Sequence, residues 1–294
     1  MKYTLRQLEV FLETARHENL SRAAATLAMS QSAASDALRE LEQQFDVLLF
    51  DRVGRRIQLN DFGRLLLPRA EELLDRAQEL EILLGRHQAH GPIRVGATLS
   101  IGNYLCIPLI KQYREKYPDS PVSLEVDNTE HIASKVTHYE LDVGMIEGEV
   151  NDPALEITRW DEDELIVFAR PDHPLAHKGL IDVEDILQES WILREKGSGT
   201  RQTFDRVMHD QLSVLRIGLE LEHTEAIKRA VEAGMGLGCL SKVTLVEAFA
   251  SGRFVPLAIR GRKFKRNFYL IMHRHKYRTA AIQHWLELCM QVIK

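Results

Sequence analysis

Two segments of the sequence carry hydroxyl groups where a strand-like stretch is followed by a helix-like one. The first, ATLSIGN, offers the hydroxyls of Thr98 and Ser100 and the backbone N–H groups of Ile101, Gly102 and Asn103. The start of a helix carries unpaired N–H groups and the positive end of the helix dipole, and both attract negative charge. This segment therefore suits the binding of a small anion.

The second segment, REKGSGTR, also lies between a predicted strand and a predicted helix. Ser198 and Thr200 supply hydroxyls, and Gly199 lets the backbone come close to a ligand. Arg201 supplies a guanidinium, which pairs well with oxyanions and carboxylates. Ligands of open α/β sheets bind beyond the carboxyl ends of the strands, so we expect both segments to face one cleft.

Two further helix starts place a threonine at the same predicted edge. Thr129 follows Asn128, and Thr224 follows His223. Taken alone, each threonine is explained by ordinary helix capping. Together with the two hydroxyl-rich segments, they become further candidates for contact with an effector.

A different polar group lies near the N-terminus, where Ser30 is predicted to cap a helix that runs to about Gln44. The apolar residues of this helix fall on one face, and its polar residues fall on the opposite face: Gln31, Ser32, Ser35, Asp36, Arg39 and Gln43. Small side chains at the start of the helix would let its backbone approach base edges, and the amide of Gln31 matches adenine. The sequence therefore predicts a helix that reads the major groove of DNA.

The elements around this helix support that interpretation. Thr4 and Gln7 form a capping-box pattern for a first helix, and Ser21 is expected to cap a second, short one. Two short helices joined by a tight turn are typical of a helix-turn-helix. An alanine-rich three-helix bundle packed against another surface is the alternative.

Arginines on both sides of this motif could contact the DNA backbone. Arg22 begins the second helix, and Arg52, Arg55 and Arg56 surround Gly54 in VLLFDRVGRRIQL, which predicts a β-hairpin wing. Cations at these positions would neutralise phosphates or enter the minor groove. Asp36 works against this arrangement because its carboxylate would repel a phosphate.

A long helix is predicted from Asp61 to about His87, before Gly91-Pro92 ends it. Apolar residues recur along it at heptad spacing, as a dimerisation seam requires: Leu66, Ala70, Leu73, Ala77, Leu80 and Leu84. Packing of the helix on its own domain is the alternative explanation of the seam.

Beyond Pro92, predicted strands and helices alternate over roughly 200 residues. This pattern predicts an α/β domain of two lobes with a cleft between them and largely parallel sheets. We expect the acidic run Glu162 to Glu164 to be a solvated loop and His273 and His275 to lie at a solvated strand end. The glycines at 234, 236 and 238 follow a helix and precede a strand, which favours a helix C-terminal turn over a dinucleotide-binding loop.

These patterns predict a multidomain α/β protein with three parts. Residues 1–60 form the winged helix-turn-helix, residues 61–90 the linker helix, and residues 91–294 the effector-binding domain. Within the last of these, lobe I is expected at 91–162 and 267–294, and lobe II at 163–266.

Composition limits the remaining classes of protein. The chain of 294 residues has a net charge of −5, and its first 60 residues carry eight basic and eight acidic side chains, so charge alone does not indicate nucleic acid. No secretory signal or membrane span is predicted, and Cys106, Cys239 and Cys289 fit reduced thiols, so the cytoplasm is the expected location. No metal, cofactor or catalytic triad is expected. The rival class is a two-lobed binding protein or enzyme with a helical oligomerisation cap.

Residues 5–70 resemble the N-terminal domain of LysR-type transcriptional regulators, and the resemblance continues along the chain. The matching positions are Leu8, Phe11, Ala23, Ala24, Leu27, Ser30, Gln31, Ala33, Ser35, Leu38, Leu41, Glu42, Leu48, Phe50, Arg52 and Gly63. The resemblance implies a winged helix-turn-helix, a linker helix that dimerises, and an effector domain like the periplasmic binding proteins. It also implies DNA contacts at Gln31, Ser32, Ser35 and Arg52. Many members carry a basic residue where this chain has Asp36, which puts one backbone contact in doubt.

The resemblance also sets expectations for partners. Double-stranded DNA with an interrupted palindrome fits a homodimer or homotetramer, and RNA polymerase is left open as a further partner. TLSIGNY and ILREKGSGTR are most similar to the branch that includes the cysteine-regulon activators, whose effectors include sulfur oxyanions. We therefore expect a small anionic effector, an inorganic oxyanion first and a short carboxylate second.

Overall fold

The computed structural model describes residues 2–53, 56–84 and 91–292. It begins with three helices, α1 (Leu5–His17), α2 (Leu20–Thr26) and α3 (Gln31–Phe45). The capping box of Thr4 and Gln7 and the cap at Ser30 are confirmed. The predicted cap at Ser21 is wrong, because the side chain of Asn19 accepts the N–H of Arg22 and starts α2 at Leu20 instead.

The predicted wing is confirmed as an antiparallel hairpin of β1 (Phe50–Val53) and β2 (Arg56–Leu59). The long helix α4 (Asp61–Leu84) follows directly. A Cβ atom at Gly63 would lie 2.1 Å from the carbonyl oxygen of Leu49, so only glycine lets α4 start this close to the chain that leads into the hairpin.

Beyond Pro92 the strands and helices alternate as predicted. The elements are β3 (Ile93–Thr98), α5 (Leu99–Ile101), a π-helical turn (Gly102–Cys106), α6 (Ile107–Lys116), β4 (Val122–Asp127), α7 (Thr129–Thr137), β5 (Val143–Ile146), β6 (Leu155–Ala169), a 3-10 turn (Pro174–His177), α8 (Val183–Ile186), β7 (Ser190–Arg194), α9 (Gly199–Val207), β8 (Arg216–Leu221), α10 (Thr224–Glu232), β9 (Leu237–Ser241), α11 (Lys242–Ala250), β10 (Val255–Leu257), β11 (Lys265–His273) and α12 (Ala280–Val292).

The strands are hydrogen-bonded in the order β4-β3-β5-β11-β6-β9-β7-β8, and β10 pairs with β6. The expectation of largely parallel sheets is only half right. Pairs within each lobe are parallel, whereas every pair that involves β6 or β11 is antiparallel. The reason is that β6 carries the chain from one lobe to the other and β11 brings it back in the opposite direction.

Each lobe has its own apolar core. Lobe I, with β3 to β5, α5 to α7 and α12, packs around Trp285, Tyr113 and Met145. Lobe II, with β7 to β10 and α8 to α11, packs around Trp191, Phe204 and Leu237 on one side of its sheet. The two lobes are joined by β6 and β11, and a cleft lined by residues of both lobes, among them Glu147, Gln202 and Arg266, lies between them. Within the described ranges, none of the helices combines the length and apolar character that crossing a membrane would require.

Candidate functional site

The polar edge of α3 is open to solvent. Gln31, Ser32 and Ser35 are all exposed, while Ala34 and Leu38 on the opposite face are buried in the N-terminal core. The hydroxyl of Ser30 accepts the N–H of Ala33 at 3.1 Å and lies 3.0 Å from that of Ser32. The helix therefore presents a small, hydroxyl-bearing edge that a groove in DNA could admit.

Charged groups next to this edge are exposed too. Arg39 pairs with Asp36 one turn away, with both side chains more than half exposed, so the carboxylate that would repel phosphate already has a cation beside it. Arg22 is also exposed. Gly54 and Arg55 lie outside the described residues, as do the side chains of Arg52 and Arg56, so their predicted DNA contacts stay predictions.

The cleft between the lobes is centred on Arg266 of β11, whose residue is 6% exposed. Its Nε donates to Asp163 at 2.7 Å and its Nη1 donates to the hydroxyl of Thr200 at 3.0 Å. Its Nη2 donates to Glu147 at 3.0 Å and lies 3.5 Å from the hydroxyl of Ser100. One guanidinium thus joins lobe I, lobe II and both crossing strands.

Three more hydroxyls of the predicted site are buried without a hydrogen-bond partner among the described residues. They belong to Thr98, Thr129 and Ser198, and each residue is at most 5% exposed. A buried polar group without a partner costs about 1–3 kcal/mol, so such groups mark a place where a polar ligand would be stabilised. The two sides also approach closely, since a Cβ atom at Gly148 would lie 2.9 Å from the Cα of Gly199.

The remaining predicted effector residues are placed differently. Ile101 and Gly102 are buried beneath the start of the helical segment, and Asn103 is exposed. Thr224 is buried at the start of α10. The guanidinium of Arg201 donates to Asp205, to Glu220 and to the carbonyl of Arg194, all within lobe II. A contact between Arg201 and an effector therefore stays a prediction.

Sequence reasoning missed the most buried charges of the cleft. Glu147 directly follows the buried strand β5, and a charged residue at the end of an apolar strand could have indicated a cleft residue. The acidic run was wrongly expected to be a solvated loop, because it lies within β6, where Asp163 pairs with Arg266 in the neighbouring strand. Burial raises the pKa of Asp163 in spite of Arg266. Lys228 of α10 is also buried, and its Nζ reaches across to the hydroxyl of Tyr104 in lobe I at 3.2 Å.

A second cluster of buried charges joins lobe I to the long helix. Lys276 Nζ lies 2.9 Å from Glu71, 2.8 Å from Asp75 and 3.1 Å from Asp142. Glu71 is also bound by Arg16 of α1, and Asp142 by Arg94. We call Arg16, Glu71, Asp75, Arg94, Asp142 and Lys276 the junction cluster. It connects the N-terminal helices, α4 and lobe I through side chains of which Glu71, Asp142 and Lys276 are the most buried.

The pKa values in the junction cluster move in different directions. Burial would raise the pKa of Glu71, but Lys276 and Arg16 outweigh it and lower the pKa. The balance for Asp142 is similar, and its pKa falls to about 2. For Asp75, burial prevails over Lys276 and raises the pKa to about 6.

Of the two histidines expected at a solvated strand end, His275 is exposed just after β11, as predicted, whereas His273 is buried. His273 is 8% exposed, and its Nδ1 lies 2.7 Å from the hydroxyl of Tyr139. Tyr139 packs against the N-terminal core, so this part of lobe I is covered by another part of the chain. Burial lowers the pKa of His273 to about 4 and keeps the ring neutral near pH 7.

The predicted dimerisation seam on α4 divides into two halves. Ala70 is 2% exposed, and Leu66 and Leu73 pack partly into the N-terminal core, because α4 closes that core. Ala77 is half-buried. Leu80 and Leu84 are 57% and 73% exposed. Only the second half of the seam is therefore uncovered.

The described residues contain no group of three or more His, Cys, Asp or Glu side chains arranged to hold a metal ion. Cys106, Cys239 and Cys289 are buried free thiols. Burial raises their pKa values, so they remain protonated near neutral pH.

Comparison with known proteins gives consistent matches along the chain. The family model of the LysR substrate binding domain matches residues 86–294, and that of the lysR family of bacterial regulatory helix-turn-helix proteins matches residues 5–64. The HTH-type transcriptional regulator YeiE of Escherichia coli is 40% identical over 289 residues, which are 98% of each chain. The HTH-type transcriptional regulator CysL of Bacillus subtilis is 32% identical over 240 residues, covering 81% of this chain and 80% of CysL.

Solved structures extend the comparison. The regulatory domain of Synechocystis CcmR in complex with 2-PG is 33% identical, with a TM-score of 0.65, and covers 69% of this chain and 98% of that one. Full-length OxyR from Pseudomonas aeruginosa is 24% identical, with a TM-score of 0.74, and covers 99% of this chain and 94% of that one. OxyR supports the fold of the whole chain.

Proposed function

This chain belongs to the LysR family of transcriptional regulators, and we propose that a small anionic effector, bound between its lobes, controls how it holds DNA. The exposed edge of α3 that begins at Gln31 is the observation that supports DNA binding by this helix. Side chains at the start of a recognition helix contact base edges, while nearby cations and N–H groups position the helix on the phosphates.

The effector class is inferred from the chemistry around Arg266. A buried guanidinium with hydroxyls on both lobes offers charge-assisted hydrogen bonds to an oxyanion or a carboxylate. The partnerless hydroxyls of Thr98, Thr129 and Ser198 offer further donors nearby. The complex of the related CcmR domain with 2-PG is in keeping with a small ligand at this domain. We propose a sulfur oxyanion as the first candidate effector and a short carboxylate as the second.

The route from effector to DNA would run through the junction cluster. An effector can shift an equilibrium between two arrangements only if it binds one of them more tightly. Closure of the lobes on an anion would move lobe I against lobe II, and Lys276 ties lobe I to Glu71 of α4. Because Glu71 also holds Arg16 of α1, such a movement would reach the DNA-reading helices.

We expect two chains to pair on DNA. One reading helix contacts few base pairs, and a second copy would add affinity and specify an interrupted palindrome. The exposed Leu80 and Leu84 provide an apolar surface for a homodimer, and a tetramer would need a further contact. We expect the protein to act in the cytoplasm, to bind ligands without catalysis, and to meet RNA polymerase at its promoters.

A gel-shift assay on genomic fragments, including the region upstream of its own gene, tests the proposal. We expect a discrete complex at nanomolar protein whose affinity changes when sulfate, sulfite or thiosulfate is added. If the full chain binds no fragment more tightly than random DNA, the regulatory function proposed here is wrong.

A further inference from the structure

The charge of Arg266 is already matched by two carboxylates. Glu147 and Asp163 both bond to its guanidinium, and the three side chains are 1%, 6% and 2% exposed. A buried cation with two buried anions needs no additional negative charge. An anionic effector therefore has to compete with one of these carboxylates for the same donors.

The two carboxylates have different structural positions. Asp163 faces Arg266 directly across the pairing of β6 and β11, and its other oxygen accepts the hydroxyl of Ser241 at 3.0 Å. Both partners lie in strands that pair with β6, so Asp163 is held within the strands that connect the two lobes. This carboxylate would keep its place whether the lobes are open or closed.

Glu147 instead bridges the two lobes. It follows β5 of lobe I, yet one of its carboxylate oxygens accepts from Thr200 of lobe II at 3.2 Å while the other accepts from Arg266. These are the two donors that an effector anion would use. The glycines beside it keep the space tight, since a Cβ atom at Gly199 would lie 2.4 Å from the carbonyl oxygen of Glu147.

We propose that Glu147 is an internal competitor that occupies the anion-binding position between Arg266 and Thr200. The inference rests on the proposed function and assigns Glu147 a role in setting effector affinity. An effector binds by replacing this carboxylate with its own oxyanion or carboxylate group. The Glu147 side chain thereby weakens the binding of every anion that uses these two donors.

Calorimetry on the full-length protein with sulfate, sulfite, thiosulfate and malonate as probes tests the inference. In Glu147→Gln the amide oxygen can still accept one of the two hydrogen bonds, while the amide nitrogen is a donor, and the side chain no longer competes as a charge. We expect this variant to bind the anion that the wild type binds best about tenfold more tightly. The reason is that a hydrogen bond to a charged group is stronger than one to a neutral group by a free energy that corresponds to about that change in affinity.

Glu149→Gln is the matched control. It removes the same charge two residues away, from a side chain that is exposed at the cleft. We expect less than a twofold change in the affinity of this variant. If Glu147→Gln gains no more affinity than Glu149→Gln, Glu147 is not a competitor and the inference is wrong.

Chemical rescue provides a second test, which does not depend on the fold of the glutamine variant. In Glu147→Ala the carboxylate is replaced by space beside Arg266, and formate is small enough to enter it. We expect formate to raise the melting temperature of this variant by several degrees more than that of the wild type at equal ionic strength. Equal shifts in the two proteins would count against the inference.

The outcomes also separate this inference from the proposed function. Equal binding of an anion by wild type and both glutamine variants overturns the role of Glu147 and leaves the effector class intact. If none of the three proteins binds any of the four anions, the anionic effector is wrong as well, and DNA binding in the gel-shift assay is unaffected by that result.

Discussion

Lys276 of lobe I and Arg16 of α1 bind the same carboxylate, that of Glu71 in the middle of α4. The distances are 2.9 Å from Lys276 Nζ and 2.7 Å from Arg16 Nη2, and Glu71 is only 3% exposed. A buried carboxylate is stabilised only while its cations stay in place. We therefore expect a movement of lobe I to be transmitted to α1 through Glu71.

Lys276→Met is expected to break this connection. It leaves Glu71 and Asp142 with fewer cations in a buried place, which costs about 3–5 kcal/mol for the loss of one partner of such a group. The free energy of unfolding measured with urea gives the loss directly. Lys111→Met, which alters an exposed lysine on α6, should change it by less than about 0.5 kcal/mol. Similar losses in the two variants would contradict the importance of the junction cluster.

Stability should fall with rising pH through the titration of Asp75. Burial raises its pKa from 3.8 to about 6, so the folded protein binds this proton more tightly than the unfolded chain does. The protonated Asp75 stabilises the fold fully below pH 4, and this stabilisation is lost as the pH rises through 6. The loss is roughly 3 kcal/mol, because each unit of difference in pKa corresponds to about 1.36 kcal/mol. Asp142, with its pKa lowered to about 2, acts in the opposite direction, but only below pH 4.

Asp75→Asn isolates this effect. The amide resembles the protonated acid, so the variant should gain stability relative to the wild type between pH 5 and pH 7. Thermal unfolding across this range, compared with Asp36→Asn at an exposed site, measures the gain. A constant difference between Asp75→Asn and the wild type at all pH values would show that Asp75 does not titrate there.

Gln31→Ala should weaken discrimination between DNA sites without weakening the fold. A base contact by an amide contributes about 1–3 kcal/mol, so affinity for the preferred site should fall about tenfold or more while affinity for random DNA stays the same. Gln43→Ala changes the same side chain near the other end of α3, where it is also exposed, and should leave both affinities unchanged. Fluorescence anisotropy on both DNAs measures them. Equal effects of the two substitutions would mean that the start of α3 does not read bases.

Leu84→Glu should weaken self-association. This leucine is 73% exposed at the end of α4, and a charge there would be buried in any interface that uses the uncovered half of the seam. Sedimentation equilibrium should show a lower mass than for the wild type. Leu180→Glu places the same charge on an exposed leucine of lobe II and should leave the mass unchanged. An unchanged mass for Leu84→Glu would exclude this end of α4 from the interface.

The N-terminal region was the most predictable from sequence because its signals are local. Caps such as Thr4 and Ser30 act within one helical turn, and the apolar spacing of α1 and α3 sets their buried faces. The hydroxyl groups of the cleft could be predicted because the residues that carry them follow the ends of strands: Thr98, Ser100, Ser198 and Thr200.

The charges of the cleft were not predictable in the same way. Arg266 meets Glu147 across 119 residues and Ser100 across 166, and no spacing in the sequence indicates such pairs. The first half of β6 was missed because most of its side chains are exposed, so it lacks the apolar pattern of a buried strand. The missed ion pairs and the missed part of β6 have the same cause, because contacts between residues distant in sequence stabilise polar side chains in these strands.

Footprinting of the full-length protein on its best genomic site, with and without the anion that calorimetry identifies, shows whether an occupied cleft alters the binding of DNA. We expect the protected region or the DNA bend to change over the same range of anion concentration in which the cleft becomes occupied. A footprint that stays the same at a saturating concentration of the bound anion would contradict the claim that the cleft controls how the protein holds DNA.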